Sequence, residues 1–190
     1  PKSEAKTTTA TNANGATKKL QVDMLDIRSS NVPGAKGFIG VRLTDKRGNL
    51  LTAMIDTAAS TNLITSSAVQ RLNLNRQAFN QYGSGLSGQT QIASEKTTLS
   101  ALTFAGVPET EIPIMDASIL NNPGMLPPSV DVLLGLPFLQ SLQSLITMDL
   151  VNKKMTFTLG TMDQEQQGRY HKIGMRRSYP TGLLMIDASV

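Results

Sequence analysis

An apolar run that ends in a single carboxylate constrains this chain more than any other feature. Leu51-Thr52-Ala53-Met54-Ile55 has the composition of a buried strand, and it delivers Asp56 directly into Thr57-Ala58-Ala59-Ser60. A carboxylate carried to the edge of a core must find hydrogen-bond donors there or shift its pKa. The residues that follow are compact enough for the backbone to fold tightly beneath it. Leu63-Ile64 then resumes the apolar pattern. A strand that ends in one acid above a tight turn reads as a site.

Around this segment the pattern is mostly that of strands. Leu20, Val22, Met24 and Ile27 alternate loosely, and Asn31-Val32-Pro33-Gly34 is a turn cluster. Gly37–Leu43 and Leu50–Ile55 predict two strands joined by the polar connection Asp45-Lys46-Arg47-Gly48-Asn49. Thr65-Ser66-Ser67 is helix-start chemistry, and Ala68, Val69, Leu72 and Leu74 continue it as a short amphipathic helix closing near Asn75. Glycines 83, 85 and 88 then crowd one short stretch. Strand-like stretches follow at Thr90–Ser94 and Thr97–Phe104, and Gly106-Val107-Pro108 turns the chain into another at Glu111–Met115. Beyond a Pro/Asn-rich loop, Asn121–Pro128, the run Val130-Asp131-Val132-Leu133-Leu134-Gly135-Leu136-Pro137-Phe138-Leu139 predicts a buried strand, a glycine and a short helix. Pro137 falls in its early turn, where proline is tolerated. Leu145–Leu150 and Lys154–Leu159 form a closing hairpin around Val151-Asn152-Lys153. There is no internal repeat.

Three units follow from this pattern. Residues 1–17, rich in Thr, Ala, Asn and Lys, read as a disordered or processed leader. Residues 18–160 form the folded domain. Residues 161–190 read as a C-terminal extension, with a basic run (Arg169, His171, Lys172, Arg176, Arg177) and an apolar strand-like piece at Gly182–Ile186.

Composition narrows the chemistry. Apolar residues make up 39% of the chain but aromatics only 4%, with no Trp, which predicts an aliphatic core; nine Met suit adaptable packing. The absence of Cys excludes disulfides, thiolate metal sites and a Cys nucleophile. With His171 as the one histidine, neither a structural zinc site nor Ser-His-Asp catalysis has support, and no metal or other cofactor is expected. The net charge of +4 is scattered in pairs such as Lys18-Lys19 and Arg176-Arg177 without aromatic interleaving, the pattern of a solvated surface and not of a nucleic-acid partner. No apolar run approaches the roughly 20 residues that span a bilayer.

Two segments, in this order, carry a family resemblance. The strand into Asp56-Thr57-Ala58-Ala59-Ser60, with Leu63-Ile64 and the small helix behind it, resembles the Asp-Thr/Ser-Gly-Ala loop of single-domain, retropepsin-like aspartic proteases. Asp131-Val132-Leu133-Leu134-Gly135-Leu136-Pro137-Phe138-Leu139 is similar to the apolar-apolar-Gly segment of that family, most of all its bacterial and plastid members. The resemblance covers Phe38 to Leu159. One residue departs: Ala58 stands where the family has Gly.

The resemblance implies a mainly β, pepsin-type half-barrel with one or two short helices. It implies Asp56, Thr57 and Ala58 as the catalytic loop, supported by Ala59, Leu133, Leu134 and Gly135. Gly83, Ser84, Gly85 and Leu86 fall where a substrate-covering flap belongs, although without the family the string is simply a flexible Gly/Ser loop. Only one Asp lies in the family context, which implies a homodimer with one acid from each chain acting on a protein or peptide substrate. Asp116 and Asp187 also follow apolar residues and precede Ala-Ser, but they lack the Thr and the Leu-Ile that follow Asp56; they read as a strand-end and a tail residue. A second reading stays open, in which Ala58 and the long ends mark a catalytically silent domain of the same fold, serving as a binding or assembly subunit. The compartment is not fixed by the residues, and the likeness to plastid members suggests an organellar one.

Overall fold

The structure, a computed structural model, describes residues 18–27, 37–85, 88–142, 144–159, 176–177 and 184–185. The leader, the Asn31–Gly34 turn, Leu86, His171, Asp187 and most of the C-terminal extension lie outside the described residues.

Strands dominate, in the order β1 (Lys18–Asp23), β2 (Leu25–Ile27), β3 (Phe38–Asp45), β4 (Leu50–Ile55) and β5 (Leu63–Ile64). Helix α1 (Ser66–Leu72) precedes β6 (Gln77–Gly85), β7 (Gly88–Leu99), β8 (Leu102–Phe104), β9 (Val107–Glu111) and β10 (Met115–Leu120). After a 3₁₀ turn come β11 (Val132–Leu134), α2 (Leu136–Ser141), β12 (Ser144–Asp149) and β13 (Lys154–Leu159), with the short pair β14 (Arg176–Arg177) and β15 (Leu184–Met185) beyond. The main sheet runs β6-β7-β10-β5-β11-β4-β3-β8-β9, with β2 added on β3; a second sheet is ordered β1-β13-β12. At the centre of the main sheet β11 runs parallel to β4 and antiparallel to β5, with Leu133 opposite both Met54 and Leu63. The two sequence segments singled out above are therefore adjacent strands.

Local chemistry explains the connections. In the β3–β4 turn the Asp45 carboxylate accepts from the backbone N–H groups of Arg47 and Asn49 at 2.9 and 2.8 Å, and Gly48 supplies a φ of +84°. Thr65 caps α1 by accepting the Ala68 N–H at 3.3 Å, and Asn73 ends it in a left-handed conformation at φ 54°. That cap stops the helix two residues short of the expected close near Asn75. From the β12–β13 hairpin, Lys153 reaches Asp26 on β2 and Lys154 reaches Asp23 on β1.

Three expectations are corrected. The stretches 90–94 and 97–104 are not two strands in those bounds: β7 is continuous through Glu95 and Lys96, whose charges pair laterally with Arg76 and Asp116 and so do not interrupt it. The chain turns instead at Ala101, which holds φ 56°, before β8. The strand expected at 111–115 is split, because residues 112–114, which include Pro113, stand between β9 and β10. The core is not purely aliphatic either. Phe104, Phe138 and Phe157 are fully buried among Val41, Leu43, Leu51, Leu99, Leu134 and Met155, and the Phe104 and Phe157 rings stack at 4.8 Å between the two sheets.

Candidate active site

Asp56 leaves β4 with its N–H bonded to the Leu134 carbonyl at 3.0 Å, so β11 fixes the point where the acid emerges. Its own carbonyl accepts from the Ala59 N–H at 3.3 Å, closing a tight turn. The Ala58 N–H donates to Asp56 Oδ1 at 2.8 Å, and the carboxylate stays half-buried. The small residues after the acid thus supply a backbone donor to it. Among the described non-glycine residues positive φ is confined to Asn73, Ala101 and Lys153, so Ala58 brings a methyl group but no left-handed strain. Thr57 is exposed, and its hydroxyl has no partner among the described residues.

Gly135 presses against this loop from the other side. A Cβ there would sit 2.4 Å from the Thr61 carbonyl oxygen and 2.7 Å from that of Ala59, so no other residue fits without backbone movement. The next residue, Leu136, donates its N–H to the Ala59 carbonyl at 2.8 Å. Leu134 is fully buried in the main core. Leu133 instead joins a separate aliphatic cluster with Met54, Leu63 and Ile92, against which Ala59 packs. The expected supporting residues Ala59, Leu133, Leu134 and Gly135 are therefore all brought to the Asp56 loop.

The glycine-rich string forms the end of the β6–β7 hairpin. Gly83 pairs with Thr90, Ser84 with Gln89 and Gly85 with Gly88. Leu86 lies outside the described residues. Ile92 on β7 sits beneath Gly83, where an added Cβ would come within 2.9 Å of its Cγ2, and the same Ile92 belongs to the cluster that Ala59 touches. One apolar cluster thus runs from the hairpin arm to the Asp56 loop.

Two supporting side chains, Asn62 and Asp131, escaped sequence reasoning. Asn62, 1% exposed, accepts the Gly135 N–H at 2.9 Å and donates to the Asp116 carbonyl at 3.1 Å. Asp131 accepts the Thr52 N–H at 2.9 Å and pairs with Arg71 of α1 at 2.7 Å, which joins strand β4, the start of β11 and the helix. Asp116 is occupied elsewhere: the Lys96 ammonium at 2.8 Å, and then the Thr98 hydroxyl at 2.9 Å, hold its carboxyl below the usual value. It is the second residue of β10, paired across the sheet with Thr98.

A lone acid at a strand end, met by a Leu-Leu-Gly strand across a mainly β sheet, defines an acid-protease fold of the retropepsin-like kind. The chain belongs to the aspartyl protease family, whose profile matches residues 40–138 and so takes in both the Asp56 loop and the Leu-Leu-Gly segment. Among solved structures it is similar to a retropepsin-like aspartic protease from Rickettsia conorii, at 13% identity and a TM-score of 0.42, covering 73% of this chain and 97% of that one. It is also similar to the retroviral protease-like domain of Ddi1 from Leishmania major, at 14% identity and a TM-score of 0.36, covering 67% of this chain and 96% of that one. No curated protein sequence matches it. Among the described residues no helix is long and apolar enough to cross a membrane.

Proposed function

We propose that the chain is a homodimeric aspartic endopeptidase, in which Asp56 from each of two copies forms the catalytic pair. The observation that carries this reading is the Asp56 turn itself: a half-buried carboxylate at the end of β4, bonded by the Ala58 N–H at 2.8 Å. Two such carboxylates brought together cannot both ionise cheaply, so they share one proton. The ionised member takes a proton from a bound water as its oxygen attacks the scissile carbonyl carbon, and the protonated member donates to the carbonyl oxygen. Proton transfer to the leaving nitrogen then breaks the C–N bond and leaves an acid and an amine. No cofactor enters.

The unpartnered Thr57 hydroxyl suits a bond across the two-fold axis. Residues 83–86 at the hairpin end would cover an extended peptide through backbone hydrogen bonds. In this reading residues 18–160 are the working domain, preceded by the leader and followed by the extension.

The test is cleavage of a denatured-protein peptide library between about pH 4 and 7, a range set by proton-sharing carboxylate pairs. The wild-type chain should cleave and sediment as a dimer, and Asp56→Asn should be inactive with an unchanged circular dichroism spectrum. Equal activity in Asp56→Asn would overturn the assignment. A strict monomer without activity at high concentration would favour the silent-subunit reading.

A further inference from the structure

We infer that Asn62 is a positioning residue for the Asp56 loop, an inference that rests on the endopeptidase reading above. The loop from Asp56 to Asn62 is stitched to the Leu134-Gly135-Leu136 backbone at three places. Asp56 N–H bonds the Leu134 carbonyl at 3.0 Å, the Ala59 carbonyl accepts the Leu136 N–H at 2.8 Å, and Asn62 Oδ1 accepts the Gly135 N–H at 2.9 Å. Only the third uses a side chain, so only the third can be removed by truncating a side chain.

The partners fix the orientation of the Asn62 carboxamide. Its oxygen faces an N–H and its nitrogen faces the Asp116 carbonyl at 3.1 Å, while the Asn62 carbonyl accepts the Ser118 N–H at 2.9 Å. A side chain only 1% exposed is thus satisfied at both ends by backbone groups of two different strands' neighbourhoods. Removing it leaves the buried Gly135 N–H without an acceptor, at the point where Gly135 already approaches the Ala59 and Thr61 carbonyls too closely to admit a Cβ. The loop can relieve that only by shifting its far end, and a shift there moves the turn that aims the Asp56 carboxylate. Asn62 touches no reacting atom; it acts through the loop. Its second partner, Asp116, is held by its carboxylate to Lys96 and Thr98 of β7, so the same amide also ties the loop to the hairpin arm.

Substitution by the isosteric acid gives a test with an internal rescue. Ionised, the side chain of Asn62→Asp still accepts from Gly135 but faces the Asp116 carbonyl with no proton to donate. Protonated, it offers one O–H and one acceptor, the same pair of bonds as the amide. Titratable and charged groups on the surrounding elements are Asp56 on the loop, Asp116 on β10 with Lys96 on β7, and Asp131 with Arg71. All are present in the wild type, so the ratio of variant to wild-type activity isolates the new carboxyl.

The expected result is near wild-type cleavage by Asn62→Asp at the acidic end of the profile. It should fall at least tenfold below wild type as pH rises, with the loss in kcat and KM little changed. Asn62→Leu should be impaired at every pH. Amide exchange at Gly135 and Leu136 in Asn62→Asp should accelerate over the same range, relative to wild type at the same pH, while β3 and β4 amides keep their protection. A constant activity ratio across pH would overturn the inference, as would unchanged exchange at Gly135. If the wild-type chain cleaves nothing at any pH, the protease reading fails by itself. The exchange measurement then decides alone whether Asn62 holds the loop.

Discussion

Replacing Gly135 by Ala should destabilise the chain by about 3–5 kcal/mol, by overpacking and by stretching hydrogen bonds. The φ of Gly135 is −92°, so the need for glycine here is one of space and not of backbone freedom. An added Cβ would lie 2.4 Å from the Thr61 carbonyl oxygen, 2.7 Å from that of Ala59 and 3.0 Å from the Thr61 carbonyl carbon. All three are backbone atoms, so no rotamer change clears them. Overpacking of this kind costs roughly 1–3 kcal/mol. Separating the segments also stretches the Gly135 to Asn62 and Leu136 to Ala59 bonds, at about 1 kcal/mol each. Gly48→Ala is the control. Nothing lies within 4 Å of its added Cβ, but φ is +84°, so only left-handed strain of about 1–2 kcal/mol applies. Urea unfolding of both variants, followed by circular dichroism, should rank Gly135→Ala clearly below Gly48→Ala, with cleavage lost in the first and kept in the second. A Gly135→Ala chain within about 0.5 kcal/mol of wild type, the range of ordinary surface substitutions, would refute the close approach.

Ala101 holds φ 56° before β8, and Ala101→Gly should stabilise the fold by roughly 0.5–1 kcal/mol, the relief of strain less the added chain entropy. A lower unfolding midpoint would contradict that. Burial pushes the Asp45 carboxyl up, but the bonds from Asn49 and Arg47 together outweigh it and leave its pKa below 3.8. A depressed folded value adds stability above the unfolded value and loses it as pH falls through the folded one. The urea midpoint should therefore decline as pH drops below about 4, and Asp45→Asn should flatten that acid limb; parallel curves would remove Asp45 from the account. Ala58→Gly should raise turnover or tighten dimerisation at a stability cost of about 0.5–1 kcal/mol. A loss of activity would count against crowding at the axis.

The fold was legible where a residue's local chemistry and its partner in space gave the same instruction. Asp45-Lys46-Arg47-Gly48-Asn49 could be read as a turn because the Asp carboxylate and the glycine act within five residues. Asp56 stood out because a carboxylate after an apolar strand conflicts with burial unless a site requires it. Glu95 and Lys96 misled for the converse reason: their partners, Arg76 and Asp116, are remote in sequence, so a continuous β7 looked broken. Asn62 and Asp131 carry no local signal that separates a buried anchor from a solvated polar residue. Their meaning lies in Gly135, Asp116, Thr52 and Arg71, contacts that only the folded chain creates.

Ala58 turns on which property of glycine the loop uses. Glycine could supply left-handed backbone, a donor to the carboxylate, or the mere lack of a side chain. The first is not in use, since Ala58 has no positive φ. The second survives, since the Ala58 N–H reaches Asp56 Oδ1 at 2.8 Å. Only the third is lost, and in a single chain it costs nothing, because Ala58 is exposed. In the proposed dimer the methyl would therefore act only between copies, by weakening their approach, and not on the acid itself. A weakened pair with an intact acid is a concentration-dependent enzyme: specific activity should rise with protein concentration until the dimer is filled, and each 1.4 kcal/mol of crowding should move that midpoint tenfold. Specific activity that stays flat with concentration while the chain remains monomeric would place the activity, or its absence, outside the pairing of two Asp56 loops.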